Sequence, residues 1–279
     1  MLPAWLFEAD VFGRTAEPLQ AEVRRQGMAC AITRQNLLAH GLFSASRFPA
    51  LDERGCVIAC GSFPFVHWVQ THTRWVPGGW CDAERLDCGS YYRPFQKFLL
   101  NGSGDLVRCL EAVDRQDELF ERFAVEGRVF VRPSGCAKTF TGRAVTQDEF
   151  IETLGPSRYD VDAKIVVAPS RQIDREWRLV VAGDELLAGC QYYEQGELAV
   201  VAGVPAEVEQ FAQNVLDEVD WRPDPIFILD VGQTDAGLAI VELGGFSCCA
   251  LYECDPSAVV RVASALAAGT CNAGGGFGA

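Results

Sequence analysis

Two segments in the last quarter of the chain constrain its fold most: Ile226-Phe-Ile-Leu-Asp230-Val and Ala239-Ile-Val-Glu242-Leu. Each reads as a strand built for burial, and each carries one carboxylate where an unpaired charge is costly. Something cationic should compensate. The Gly/Asp-containing stretch Gly232–Gly237 between them predicts a hairpin turn. A register pairing even-numbered residues with even-numbered ones puts both acids on one face. With Asp230 opposite Ile240, for example, their backbones lie roughly 7–8 Å apart as diagonal neighbours, near enough to share a magnesium ion. The other parity sends them to opposite faces. The competing reading is a buried salt bridge to an arginine.

Cations follow a pattern of their own. Val129-Phe-Val-Arg132-Pro-Ser-Gly135-Cys-Ala-Lys138-Thr-Phe-Thr-Gly142 is a strand delivering Arg132, followed by a loop of glycines and small residues that carries Lys138. Such a loop can hold a polyphosphate between cations and backbone N–H groups. It has neither the Walker spacing nor a Gly-x-Gly-x-x-Gly fingerprint, and taken alone it fits a basic surface hairpin equally well. Lys164 lies in the apolar run Ala163–Ala168, and Asp174-Arg175-Glu176-Trp177-Arg178 opens the next strand. Alternation places Glu176 and Arg178 on one face with Trp177 opposite. The two form a solvated pair or, facing a cleft, serve a ribose and a phosphate.

Along the chain, residues 1–80 read as alternating strands and helices: Ala4–Phe7, a helix around Pro18–Gln26 ended by Gly27, then Met28–Ile32 and Cys56–Gly61. That order implies βαβ units and a parallel sheet. Tyr91–Leu100 and Leu106–Ala124 have helical spacing, with a break at Asn101-Gly-Ser-Gly104. From residue 128 the texture turns to short strands (Arg128–Pro133, Ala163–Ala168, Glu176–Ala182, Glu185–Tyr193, Leu198–Ala202), with Gly183-Asp184 as a hairpin turn. A helix follows Pro205, striped by Val208, Phe211, Ala212, Val215, Leu216 and Val219, and Ser257–Ala268 closes the fold. The predicted class is α/β followed by α+β, with a boundary near residue 127.

The 279 residues suffice for one large or two small domains, and the net charge of −14 disfavours affinity for nucleic acid or an anionic membrane. A small anionic ligand needs only a few placed cations. No apolar run approaches the ~18 residues of a membrane span, and the start of the chain lacks the basic region of a signal peptide, so a cytoplasmic protein is expected. The 12 cysteines lie largely in apolar runs and are expected to be reduced thiols. No Cys-x-x-Cys pair occurs, His40, His67 and His72 share no strong ligand spacing with the cysteines, and Cys136 alone lies in an evident functional loop.

The ordered set Lys97, Arg132, Lys138, Lys164, Glu176, Arg178, Asp230 and Glu242 resembles the ATP-grasp superfamily, and more narrowly its clade named for two arginines and a lysine. The resemblance runs from about residue 80 to 255. Residues 1–80 are similar to the Rossmann-like α/β domain that precedes the ATP-grasp core. It implies a pre-ATP-grasp domain over 1–80, an ATP-grasp domain over 81–268 with subdomains 81–165 and 166–268, and a flexible tail over 269–279.

The resemblance further implies ATP and Mg²⁺ as cofactors. A small-molecule or peptide carboxylate would be phosphorylated and its acyl phosphate captured by an amine or another nucleophile, in peptide synthesis or modification. Lys97, Arg132 and Lys138 would sit on the phosphates, Lys164 would start the strand to the hinge, and Val166 and Val167 would offer backbone groups to adenine. Glu176 would bind ribose, Arg178 would reach the γ-phosphate or the acyl phosphate, and Asp230 and Glu242 would hold metal. Arg132, Lys138 and Arg178 would be catalytic. One departure stands out: the family's Glu-x-Asn reads Glu242-Leu-Gly244, which removes a metal-ligand side chain. A degenerate protein that binds nucleotide or peptide without turnover is the alternative.

Overall fold

The computed structural model describes residues 2–34, 55–137 and 139–274, so the expectations placed on His40, on Lys138 and on residues 275–279 of the tail lie outside the described residues. Among the described residues the strands form three sheets.

The first is a parallel sheet in the order β2-β1-β3-β4, built from β1 (Ala4–Glu8), β2 (Cys30–Thr33), β3 (Cys56–Cys60) and β4 (Val76–Gly78). Strands β1 and β3 are buried throughout, which is why they read as unbroken apolar runs. Helices Glu17–Arg25 and Phe63–His72 belong to this region, the second capped by Ser62, whose side chain accepts from the Phe65 N–H.

The second sheet is antiparallel, in the order β5-β8-β6-β7: β5 (Asp105–Arg108), β6 (Arg128–Pro133), β7 (Arg143–Thr146) and β8 (Lys164–Pro169). Its Val129, Val131, Ile165 and Val167 pack with Phe120, Phe123, Phe150 and Leu154 from helices Gln116–Phe123 and Gln147–Leu154. Alternation along β6 turns Phe130 and Arg132 to the other face.

The third sheet has the order β11-β10-β9-β12-β13, with β9 (Arg175–Ala182), β10 (Glu185–Glu194), β11 (Glu197–Ala202), β12 (Ile226–Thr234) and β13 (Gly237–Gly245). Helix Ala206–Glu218 lays its predicted stripe, Val208, Ala212, Val215 and Leu216, against Leu179, Val181, Phe227 and Leu229 on one face. The opposite face packs Val180, Ile226 and Ile228 with β1 and β3 and with helix Pro256–Gly274. There the Trp5 indole donates to Ser264 Oγ at 3.2 Å.

Several expectations change. Residues 105–108 are strand rather than the start of a long helix, because they pair along β8 from Asp105 opposite Val167 to Arg108 opposite Lys164. The helix expected over Tyr91–Leu100 runs instead over Cys88–Phe95. All of β8 belongs to the second sheet, so the crossing between the two halves falls after Pro169 rather than at residue 165. Residues 269–274 continue the last helix, and the Cys271 thiol there meets the Val76 carbonyl at 3.0 Å. None of the 12 cysteines, all among the described residues, is joined in a disulfide. Among the described residues no helix is long and apolar enough to cross a membrane, and no group of three or more His, Cys, Asp or Glu is placed to hold a metal.

Candidate active site

The two carboxylates of the hairpin meet across it. From the turn, Thr234 pairs with Gly237 and the ladder runs one to one as far as Val231 opposite Ile240. Continued unchanged, it would set Asp230 against Val241 and send Glu242 to the other face. Instead the register shifts by one residue, Val241 bulges, and Asp230 lies opposite Glu242. The parity that brings both acids to one face is thus made locally, and the partner of Ile240 is Val231 rather than Asp230. Ile240 turns its N–H and C=O to the segment 98–100 of the same chain, its N–H donating to the Phe98 carbonyl at 2.7 Å and its carbonyl accepting from the Leu100 N–H at 2.8 Å.

Both acids carry an arginine. Arg178 lies opposite Asp230 in the ladder and holds it in a two-pronged bond, Nε to Oδ1 at 2.9 Å and Nη2 to Oδ2 at 2.7 Å. The third guanidinium nitrogen, Nη1, donates to the Ala250 carbonyl at 2.8 Å. The pair is deeply buried, with Asp230 1% exposed. Arg132, reaching across from β6, donates from Nη2 to Glu242 Oε2 at 2.7 Å and from Nη1 to the Val241 carbonyl at 3.3 Å. The salt bridge weighed as an alternative to metal binding is therefore present twice, and one of its two arms joins the two sheets.

Between those sheets lies a cleft of about 460 Å³. Phe130 and Arg132 line it from β6, Glu176, Tyr192, Tyr193, Val241 and Glu242 from the third sheet, and Phe140, Thr141 and Gly142 from the loop after β6. Arg171 and Ile173 line it from the segment that crosses between the sheets. Burial pushes the Glu176 carboxyl up, with Asp230 and Glu242 adding to the rise, while the Tyr192 hydrogen bond and Arg178 pull it down. Burial also raises the Tyr192 phenol well above its ordinary value, helped by Asp230 and Glu176, so the phenol keeps its proton and donates to Glu176 Oε2.

Residues 66–262 match the family model of the ATP-grasp domain, family 3 of the clade named for two arginines and a lysine. The chain belongs to this ATP-grasp family. Its fold is similar to that of the D-cycloserine synthetase DcsG, with a TM-score of 0.64 and 14% identity over 96% of this chain and 100% of that one. It is similar also to D-alanyl-alanine synthetase A from Vibrio cholerae (TM-score 0.59, 10% identity, 98% and 99% covered). A third likeness is to the ATP-grasp ligase PsnB complexed with a phosphomimetic precursor variant, Mg and ADP (TM-score 0.55, 11% identity, 96% and 100% covered). Among curated proteins no match was found.

Within this ATP-grasp fold the expected residues fall into two groups. Arg132, Glu176, Arg178, Asp230 and Glu242 come together, although Arg178 lies deep, its donors spent on Asp230 and Ala250. Lys97 instead stands on the surface, ion-paired with Glu218 on helix Ala206–Glu218 and resting over the Phe98 ring. Lys164 is exposed at the start of β8 and does not line the cleft. Val166 and Val167 are fully buried in β8, an interior strand flanked by β5 and β6, so their backbone groups serve the two ladders rather than an adenine edge.

Sequence reasoning missed Phe130, Phe140, Arg171, Ile173, Tyr192 and the buried Asn101, all lining the cleft. The alternation that placed Arg132 could also have found Phe130. No local pattern marks the others. At Gly244, an added Cβ would lie 3.0 Å from Cys249 Sγ and 3.4 Å from Ile228 Cβ, so Cys249 crowds any side chain placed at this position.

Proposed function

We propose that this protein is an ATP-dependent ligase that phosphorylates a carboxylate and joins the acyl group to an amine or other nucleophile. One observation carries the reading: two arginines on facing sheets each hold one of two adjacent carboxylates, with Arg132 and Glu242 lining a cleft that also contains Glu176, and Arg178 and Asp230 buried behind it. Phosphoryl transfer is chiefly positioning and charge neutralisation, and this set supplies both.

In this reading a carboxylate oxygen of the substrate takes the γ-phosphoryl group and ADP leaves. The nucleophile's nitrogen then attacks the acyl carbon, loses a proton, and expels phosphate. Arg132 neutralises phosphate charge from the β6 side, a role the resemblance assigns to Lys138 as well. Arg178 holds Asp230 aimed through its two-pronged bond, and Glu176 takes the ribose. The residues fit Mg²⁺ in ligand chemistry, since that ion is held by one or two carboxylates together with substrate phosphates, here Asp230 and Glu242. When bound, it supplies charge stabilisation at the phosphates. Arriving nucleotide competes for the Arg132 guanidinium and so frees Glu242.

The N-terminal parallel sheet is read as the Rossmann-like pre-ATP-grasp domain. A small-molecule or peptide carboxylate sets the chemical class to test; the similar structures include a D-cycloserine synthetase, a D-alanyl-alanine synthetase and a ligase complexed with a precursor. Incubation with ATP, Mg²⁺ and pooled carboxylates and amines should yield ADP and a condensed product by mass spectrometry. Nucleotide binding with no ADP from any pool would favour a second reading, a binding protein without turnover. Cys249 filling the space beside Gly244 supports that alternative.

A further inference from the structure

Strand β10 contains a second irregularity beside the cleft. Its ladder with β9 pairs Gln191 with Trp177 and then Tyr193 with Glu176, leaving Tyr192 as the extra residue between them. A bulge of this kind re-aims a side chain. The Tyr192 ring stacks on Tyr252, centroids 5.3 Å apart and planes 1° from parallel. The Arg178 guanidinium carbon lies 5.1 Å from the Tyr192 centroid and 5.3 Å from that of Tyr252. Cation–π attraction adds to the Asp230 pair in fixing that arginine. The hydroxyl at the other end of the same ring donates to Glu176 Oε2.

We propose that Tyr192 is a positioning residue for nucleotide recognition: its hydroxyl pins one oxygen of Glu176 so that the other is presented to the sugar hydroxyls in a fixed direction. The inference rests on the proposed role of Glu176 as the ribose acid. A long carboxylate side chain at a cleft wall loses rotamer freedom when it binds a ligand. Here part of that loss has already been met, because the phenol sits on a ring held by stacking on Tyr252 and by the Arg178 guanidinium that meets both rings. Glu176 then discriminates for a sugar diol, and Tyr192 sharpens the discrimination without touching the nucleotide's base.

The test is calorimetric binding of ATP and of 2′,3′-dideoxy-ATP, each with Mg²⁺, to the wild type, Tyr192→Phe, Glu176→Gln and the double variant. Tyr192→Phe keeps the ring and its stacking, and thermal unfolding checks that it is folded. Loss of a hydrogen bond to a charged group predicts a fall of about tenfold in ATP affinity. Affinity for the dideoxynucleotide should not change. In the Glu176→Gln background the Tyr192→Phe change should add less than about twofold, as expected for residues acting as one unit.

Equal weakening of both nucleotides by Tyr192→Phe would show that the hydroxyl serves packing alone and overturn the inference. So would unchanged ATP affinity. A wild type that binds neither nucleotide would overturn the nucleotide reading itself, and the inference with it. A wild type that binds both equally would overturn the ribose role of Glu176 while leaving the ligase reading standing.

Discussion

Asp230 faces Glu242 across the β12–β13 hairpin because Val241 is looped out of the pairing between them. The bulge does more than align two acids: its carbonyl accepts from Arg132, so the residue that sets the register also helps seat an arginine from the facing sheet.

Gly232 supports that bulge from the neighbouring strand. A Cβ there would lie 2.8 Å from Val241 Cγ2 and 3.2 Å from Ile173 Cγ2. Gly232→Ala should therefore cost roughly 1–3 kcal/mol by overpacking. It should also weaken ATP binding, since Val241 and Ile173 both line the cleft. The double variant Gly232→Ala/Val241→Ala should recover part of the stability in denaturant titration. Full stability in the single variant would show that the bulge yields freely.

Much of this site was legible in the sequence, because charges on apolar strands are costly enough to be informative: Arg132, Glu176, Arg178, Asp230 and Glu242 all fall at the cleft or directly behind it. Alternation predicted that Glu176 and Arg178 share a face, and the structure brings both to the Asp230 side of β9. What the sequence hid is set by tertiary pairing. Neither bulge has a local signature, since Val241 and Tyr192 look like ordinary strand residues. Residues 106–108 read as helix because their apolar spacing continues into Cys109–Asp114, and only pairing with β8 makes them strand. Lys97 matched by order alone, and its partner Glu218 lies 121 residues away.

Gly244 offers a test of the proposal that a metal-ligand side chain is absent there. Gly244→Asn alone should lower the melting temperature, because its Cβ would lie 3.0 Å from Cys249 Sγ. Gly244→Asn/Cys249→Ala should restore stability and tighten Mg²⁺-dependent ATP binding. If the single variant already melts like the wild type, Cys249 has room to move and does not crowd that position.

Asp224 gives the fold a pH dependence. Burial, joined by the Asp82 charge, lifts its carboxyl from 3.8 to about 7, against the opposing pull of the Asp82 N–H bond and Arg85. A carboxyl whose folded value is raised adds stability that is fully present below the unfolded value and is lost as pH rises through the folded one. Stability should therefore decline between about pH 4 and 7 from this group. Asp224→Asn keeps an oxygen for the Asp82 N–H, 3.0 Å away, and should flatten that decline in melts recorded across the range. An unchanged slope would assign it to other carboxylates.

Binding of ATP in this cleft through two arginines and two carboxylates is the central claim, and titration calorimetry with ATP and Mg²⁺ tests it most directly. The wild type should bind one ATP per chain only when Mg²⁺ is present, and Arg132→Ala should weaken that binding by at least about tenfold, as loss of a charged hydrogen-bonding partner does. An absence of Mg²⁺-dependent binding to the folded wild type, or equal affinity in Arg132→Ala, would contradict it.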